Sequence, residues 1–417
     1  MDCDNPKGTR ETTSPSSVPE IRHSYLGHKG RTFDVRYSAA KKRILSASED
    51  GTCKVWDCLT HKCYSTMIHN KDAEVLRATF LEPMNSICTA GSDGNAVIWK
   101  EHHEGSKLKM RKAHVLEHGK DSQIYACEQM LHDTSKVLMA ADNKLIIWDM
   151  ITLQPSQTCQ FDQIQNGTAS EAFGGARNSD NIVFVFDAKV NPSQGHIVGA
   201  AMSDASIRLI DTRTDTPTIS SRIFALSDSS TSYKLGHATS ISWNSDATTL
   251  SVSLGSGCIA LLDLRMNTVR ALLHGHDGPC YGTMFVNGIA HNSTGLIPPN
   301  NPSSSSSDIA TNGNDENTRT AALSASIENV EPVDLARGKE YCVSWSSDST
   351  IRLWDINNAV GLISTPARVF PIPNFPILCA CAAFKGNGHT LICGGGAGNN
   401  STGPMGAFSF IGTPIHA

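Results

Sequence analysis

Several groups of residues in this chain have types and spacings that could carry chemistry. His102-His103, with His114 and His118, is dense in imidazole, and Cys379-Ala-Cys381 offers two thiols. The run Gly394-Gly-Gly-Ala-Gly-Asn-Asn-Ser-Thr-Gly403 has the composition of a phosphate-cradling loop. Asp211-Thr-Arg213 and Asp263-Leu-Arg265 each place a guanidinium two residues from a carboxylate. The histidines have no acidic or thiol partner at fixed spacing, and the cysteine pair has no second Cys/His pair at finger spacing, so no metal is expected. The glycine run lacks a Gly-Lys-Ser/Thr ending and a following helix pattern, and reads as a strand-connecting loop. Arg213 and Arg265, at strand ends, are candidates for docking a partner's carboxylate in bidentate fashion; a strand-end Arg is also commonly a solvated cap. Lys107-Leu-Lys-Met-Arg-Lys112 alternates as an outer strand does, with lysines guarding an exposed edge.

The elements that carry these residues repeat. Ile44-Leu-Ser-Ala-Ser-Glu-Asp-Gly-Thr-Cys-Lys-Val-Trp56-Asp57 recurs as Ile87-Cys-Thr-Ala-Gly-Ser-Asp-Gly-Asn-Ala-Val-Ile-Trp99, and again ending at Trp148-Asp149 and Trp354-Asp355. Two weaker copies end at Ile210-Asp211 and Leu262-Asp263. Each reads as strand, tight polar turn, strand. A single short sheet cannot bury both faces, whereas sheets packed radially into a ring cover one another.

Gly27-His28 followed by Trp56-Asp57, Gly236-His237 by Leu262-Asp263, and Gly275-His276 by Trp354-Asp355 resemble the Gly-His and Trp-Asp signatures of the WD-repeat family. The resemblance extends over residues 21–417 and implies an all-β, seven-bladed β-propeller of four-stranded antiparallel blades. It further implies a buried hydrogen-bond network in each blade, joining a His, a Ser/Thr, the turn Asp and the Trp. Carried onto this sequence, complete networks fall on His28, Ser48, Asp50 and Trp56, and on His276, Ser346, Asp348 and Trp354. Partial ones fall on His69, Asp93 and Trp99, with Gly91 in place of the hydroxyl, and on Asp142 and Trp148, with Ala140 there. The same residue types build nucleophilic triads, but with Trp and turn geometry included they read as structural. The Asp-x-Arg endings resemble the box of propellers that dock onto cullin-RING ligase adaptors, although Ile210 and Leu262 stand where that box has Trp.

After Trp354, three further strands are expected, reaching Ile411, with Arg22–Leu26 as the fourth strand of the last blade so that no sheet edge is left open. Residues 1–20 read as a disordered tail. Residues 287–338, with Ile297-Pro-Pro-Asn-Asn-Pro-Ser-Ser-Ser-Ser-Ser307, read as a disordered Ser/Pro/Asn-rich insertion within blade six. A shorter expansion spans Gln163 to Asn181.

The composition fits a folded protein: 39% hydrophobic and 18% charged over 417 residues. A net charge of −5 lacks the basic footprint of a nucleic-acid binder. No leader-like or membrane-spanning apolar run is present in the sequence. Thirteen cysteines at irregular intervals suit a reducing cytosol or nucleus. The expectation is therefore a non-catalytic scaffold for protein partners, without cofactor, metal, membrane or small-molecule substrate. The alternative is a substrate receptor for a cullin-RING ligase, and blades four to six, the most divergent, are the first place to seek partners.

Overall fold

The structure is a computed structural model. It describes all residues except 1–20, 59, 106, 121, 162–182, 214–217, 226–234, 288–338, 373–374, 386–387, 397–406 and 417. The tail, both expansions and most of the glycine-rich loop therefore lie outside the described residues.

The described residues form seven sheets. Blade one holds Thr32–Ser38, Arg43–Ser48, Thr52–Asp57 and Cys63–Ile68. Blade two holds Val75–Leu81, Ser86–Gly91, Asn95–Glu104 and Lys107–Glu117. Blade three holds Ile124–Gln129, Lys136–Ala141, Lys144–Asp149 and Gln154–Gln160. Blade four holds Val185–Val190, Ile197–Met202, Ser206–Asp211 and Thr218–Ala225. Blade five holds Ala238–Trp243, Thr249–Leu254, Cys258–Asp263 and Thr268–His274. Blade six holds Cys280–Asn287, Glu340–Ser346, Thr350–Asp355 and Arg368–Pro371.

These six sheets are built of strands in chain order, and one more sheet joins the two ends of the chain. Its order is Ile377–Lys385, Gly388–Gly395, Ala407–His416 and Ile21–Leu26. Leu26 pairs with Ala407 and Ile21 with Ile411, so the N-terminal strand completes this sheet as its outermost member. The innermost strands lie side by side in chain order, and Ile377–Lys385 closes against Thr32–Ser38. Each blade is antiparallel throughout, apart from Gly361–Ile363, which the sequence did not foretell. This three-residue strand leaves the blade-six connection and pairs in parallel with Thr268–His274 on the outer edge of blade five.

Burial follows position in the blade. The second strands are buried on both faces, as at Ser86–Gly91, because each is sandwiched between neighbouring blades; they need no polar alternation. An outermost strand such as Cys63–Ile68 buries only Met67 and leaves its remaining side chains, Tyr64 and Ile68 among them, toward solvent. Apolar clusters lie between neighbouring blades rather than in one centre: Leu45, Val55, Met67 and Val75 between blades one and two, for example, and Tyr25, Trp56, Cys379 and Ile392 where the last sheet meets blade one. Buried thiols such as Cys88, Cys127 and Cys393 serve these clusters as small hydrophobes.

Candidate functional site: the Gly-His face and the channel mouth

The buried networks sit beneath the face that carries the Gly-His loops, and their hydroxyl differs from the one expected. In blade one, Trp56 Nε1–H donates to Ser46 Oγ at 2.8 Å, and Ser46 Oγ lies 2.7 Å from His28 Nε2. His28 Nδ1 is 3.0 Å from Asp50 Oδ2. Asp50 is an acceptor only, so Nδ1 carries the proton and Nε2 accepts from Ser46. Ser46, not Ser48, is the hub; Ser48 Oγ instead accepts from Asp50 N at the turn. Blade six repeats this through Ser344, which lies 2.9 Å from Trp354 Nε1 and 2.8 Å from His276 Nε2, while Ser346 bonds the carbonyls of Gly278 and Pro279. The reason is register. Trp56 pairs with Ile44 and Trp354 with Cys342, and the indole reaches the residue two further on. Residues two apart share a face, so alternation alone does not separate Ser46 from Ser48.

The same register corrects blade two, whose network is complete. Trp99 pairs with Ile87, and Thr89 Oγ1 accepts from Trp99 Nε1 at 2.9 Å and lies 2.8 Å from the His69 ring, which also reaches Asp93 at 3.2 Å. Gly91 holds no hydroxyl because none fits there: a Cβ would sit 2.6 Å from His69 Nε2. In blade three Trp148 pairs with Val137, which puts Met139, not Ala140, at the hydroxyl position. Trp148 therefore donates directly to His118 Nε2 at 2.8 Å, and Asp142 turns to Ser122. Asp142 and Trp148 are not joined as a network.

Electrostatics agree with these bonds. Burial opposes ionisation of Asp50 and Asp348, yet hydrogen bonds from His28 and Thr52, and from His276 and Thr350, hold both well below the usual carboxylate range. Asp93, against the same burial, is brought to about 2 by Asn70 and Asn95. Burial pushes His69 and His276 down, and His118 to about 4. The Ser–His–Asp order of blade one has the connectivity of a nucleophilic relay, but Ser46 is 0% exposed and already holds an indole N–H. No substrate carbonyl can approach it.

Above the networks, each innermost strand shifts register between its first and third residues. The residue at that bulge is Phe33, Leu76, Tyr125, Phe186, Thr239, Tyr281 or Leu378 in turn, and a bulge re-aims its residue. The result is a collar of bulge residues, four of them aromatic, of which Phe33, Tyr281 and Leu378 line the central channel. Tyr125 and Phe186 meet edge-on at 5.6 Å, Phe186 lies 5.2 Å from His237, and Arg31, held by Glu49 at 2.9 Å, covers Phe33 at 5.3 Å. Tyr281 is 38% exposed. The channel below, of about 390 Å³, carries Asp34, Arg36, Arg77, Glu128, Asp187 and Lys189.

Comparison with known proteins agrees with this architecture. A family model described as "WD domain, G-beta repeat" matches residues 19–57. Guanine nucleotide-binding protein subunit beta of Solanum tuberosum is 24% identical over 188 residues, 45% of this chain and 46% of that protein. Subunit beta-2 of Nicotiana tabacum matches to the same extent. Cell division cycle protein cdt2 of Schizosaccharomyces pombe is 25% identical over 150 residues, 31% of this chain and 30% of that protein. The chain thus spans less than half the length of these curated relatives. These matches and the arrangement of the sheets together support a WD-repeat β-propeller.

Elsewhere in the propeller, Arg213 and Arg265 line one groove of about 540 Å³ between blades four and five, with Asp211, Asp246 and Leu264. Arg213 is 65% exposed at its side chain and its Nε lies 3.0 Å from Asp211, so it is already partnered within its own turn. Arg265 donates its backbone N–H to Asp263 at 2.9 Å. Among the described residues no group of three or more His, Cys, Asp or Glu is placed to hold a metal ion. His114 is exposed, His118 is spent on Trp148, and Cys379 and Cys381 are free thiols. No helix among the described residues is long and apolar enough to cross a membrane.

Sequence reasoning missed the collar. Its signal was present, an aromatic as the second residue of an innermost strand in four blades, but only the bulge re-aims that residue.

Proposed function

We propose that this propeller is a non-catalytic platform that docks a protein partner on its Gly-His face, over the channel mouth. The collar carries the proposal: Phe33 and Tyr281 line the channel mouth, Tyr125 meets Phe186 at the bulges of blades three and four, and clustered aromatics are what anchors protein interfaces. Arg31 and Arg77 beside them supply charged contacts at the rim. The Solanum and Nicotiana relatives are named as subunits of a guanine nucleotide-binding protein, which supports the same reading. Twelve free cysteines among the described residues support a cytosolic or nuclear site of action. The platform needs no cofactor, and with a net charge of −5 its partner is protein rather than nucleic acid.

Affinity purification of the full chain, followed by mass spectrometry, tests this. Partners should be recovered by the native chain and lost with Phe33→Ala plus Tyr281→Ala, while the melting temperature stays within a few degrees. Retention of every partner by that variant overturns the assignment to this face.

A second reading, docking onto a cullin-RING ligase adaptor, has in its favour that Arg213 and Arg265 open onto one groove. It predicts recovery of an adaptor that disappears with Arg213→Ala plus Arg265→Ala. A stable complex free of ligase components refutes it.

A further inference from the structure

The third and fourth strands of blade two, Asn95–Glu104 and Lys107–Glu117, run to 10 and 11 residues, whereas the third strands of blades one and three to six have six each. Pairing continues beyond Trp99 through Lys100↔Arg111, Glu101↔Met110, His102↔Lys109, His103↔Leu108 and Glu104↔Lys107. The extension projects past the blade by roughly 15 Å, at about 3.3 Å per residue.

Its two faces differ. Glu101 on the inner face receives Lys41 Nζ at 2.6 Å and Arg43 Nη1 at 3.1 Å from blade one, and Met110 packs against the cluster between blades one and two. The ribbon is thereby held rigid. On the outer face stand Lys100 opposite Arg111 and His102 opposite Lys109, all exposed. Glu104 is the carboxylate of this face, and it is paired with Lys109. Like charges placed directly across a strand pair destabilise it. Lys100 opposite Arg111 is such a rung, and it stands on a ribbon braced from behind. Lys107–Glu117 is also the last strand of its sheet, so its outer backbone edge carries unpaired hydrogen-bonding groups.

We infer that this ribbon is a second docking site, for an extended acidic segment of a protein partner. Such a segment pairs along the free edge of Lys107–Glu117 and sets alternate carboxylates against Lys109 and Arg111, with Lys100 behind Arg111. The match is one of spacing as well as charge: side chains two apart on a strand repeat at about 6.6 Å on both partners. The same cations repel a second copy of this edge, so the ribbon selects an acidic strand over self-association. The inference deepens the protein-platform reading, on which it rests for the class of ligand, at a place remote from the collar in sequence.

The test titrates the full chain against a short labelled peptide alternating Glu and Thr, read by fluorescence anisotropy. Binding should weaken as NaCl is raised. It should fall by at least about tenfold with Lys100→Glu plus Arg111→Glu, and to an intermediate level with Lys100→Gln plus Arg111→Gln, which keeps fold and length while removing charge. A Gln/Thr peptide should bind at least about tenfold more weakly than the Glu/Thr peptide. Equal binding by native chain and charge-reversed variant overturns the inference, as does tighter binding of single-stranded DNA or of anionic lipid vesicles than of the peptide. In the purification experiment, partners that survive both ribbon variants leave the platform standing and sink this site. Recovery of no partner sinks the platform, and the titration still decides the ribbon.

Discussion

Tyr25 meets Trp56 edge-on, with ring centroids 5.6 Å apart and planes at 74°, and so couples the N-terminal strand to the signature tryptophan of blade one. Both rings are buried, Tyr25 completely, together with Val35, Ile44, Cys379 and Ile392. The last sheet is thus fastened to the first blade by side chains as well as by backbone pairing. Tyr25→Ala should cost about 3–5 kcal/mol in urea unfolding, the range for emptying a large aromatic site. Removing residues through Leu26 should lower the melting temperature sharply, whereas removing residues 1–19 should not; equal effects would mean that the strand does not close the ring.

A second prediction separates two serines on the same strand. Ser46→Ala removes the partner of both Trp56 Nε1 and His28 Nε2, and leaving such groups buried and unsatisfied costs about 1–3 kcal/mol. Ser48→Ala loses only a 3.3 Å turn contact to Asp50 N and should cost under about 1 kcal/mol. Chemical denaturation of the two variants decides the matter, and the reverse ranking would return the network to Ser48.

These serines also mark where the sequence stops being legible. The fold class, the closure by Arg22–Leu26 and the residues His28, Asp50, Trp56, His276, Asp348 and Trp354 could be read directly, because glycine, turn and tryptophan signatures are local. The hydroxyl could not. It depends on which rung of a hairpin the indole spans, and period-two alternation is blind to a shift of two. Thr89 was overlooked for the same reason, and with it the complete network of blade two. The collar required the bulge shared by all the innermost strands, which leaves no mark in composition. Gly361–Ile363 pairs across blades and is held by Arg270, whose guanidinium donates to the carbonyls of Ile356, Asn357 and Ala359. No local pattern encodes that contact.

Acid should weaken the propeller before its carboxylates titrate. Burial depresses His69, His118, His237 and His276 below the ordinary histidine value in the fold, so the unfolded chain binds more protons between that value and the folded ones. Their contribution is present above about pH 6.5 and is lost as pH falls through the folded values; for His118 this means down to about 4. That single residue contributes at most about 3 kcal/mol, at 1.36 kcal/mol per unit. Scanning calorimetry should show the melting temperature falling from about pH 7 to about pH 4.5, with a shallower decline for His118→Gln, which lacks the titrating group. An unchanged slope in that variant would exclude His118 as a contributor.

The last prediction concerns how blades are held to one another at the channel. Asp34 Oδ2 accepts from the backbone N–H of Ala78 on the next blade at 3.1 Å. Asp187, at the equivalent place in blade four, accepts from Ile241 N at 3.2 Å and from Ser240 Oγ at 2.6 Å on blade five, while its other oxygen takes Ala188 N at 3.0 Å. Burial opposes its charge, yet Lys189 and Arg77 nearby and these donors keep its carboxyl below the usual range. Each of the two aspartates therefore pins the innermost strand of one blade to that of the next. Asp187→Ala strands the buried backbone donor of Ile241, a loss of about 1–3 kcal/mol, while Lys189 keeps Glu128 at 3.7 Å. Asp187→Asn keeps an acceptor for Ile241 N and should lose roughly half as much. Urea unfolding ranks the three proteins, and hydrogen exchange at Ile241 should quicken in the alanine variant beyond the change in global stability. If exchange there merely follows global unfolding, the aspartate stabilises the ring without pinning blade four to blade five.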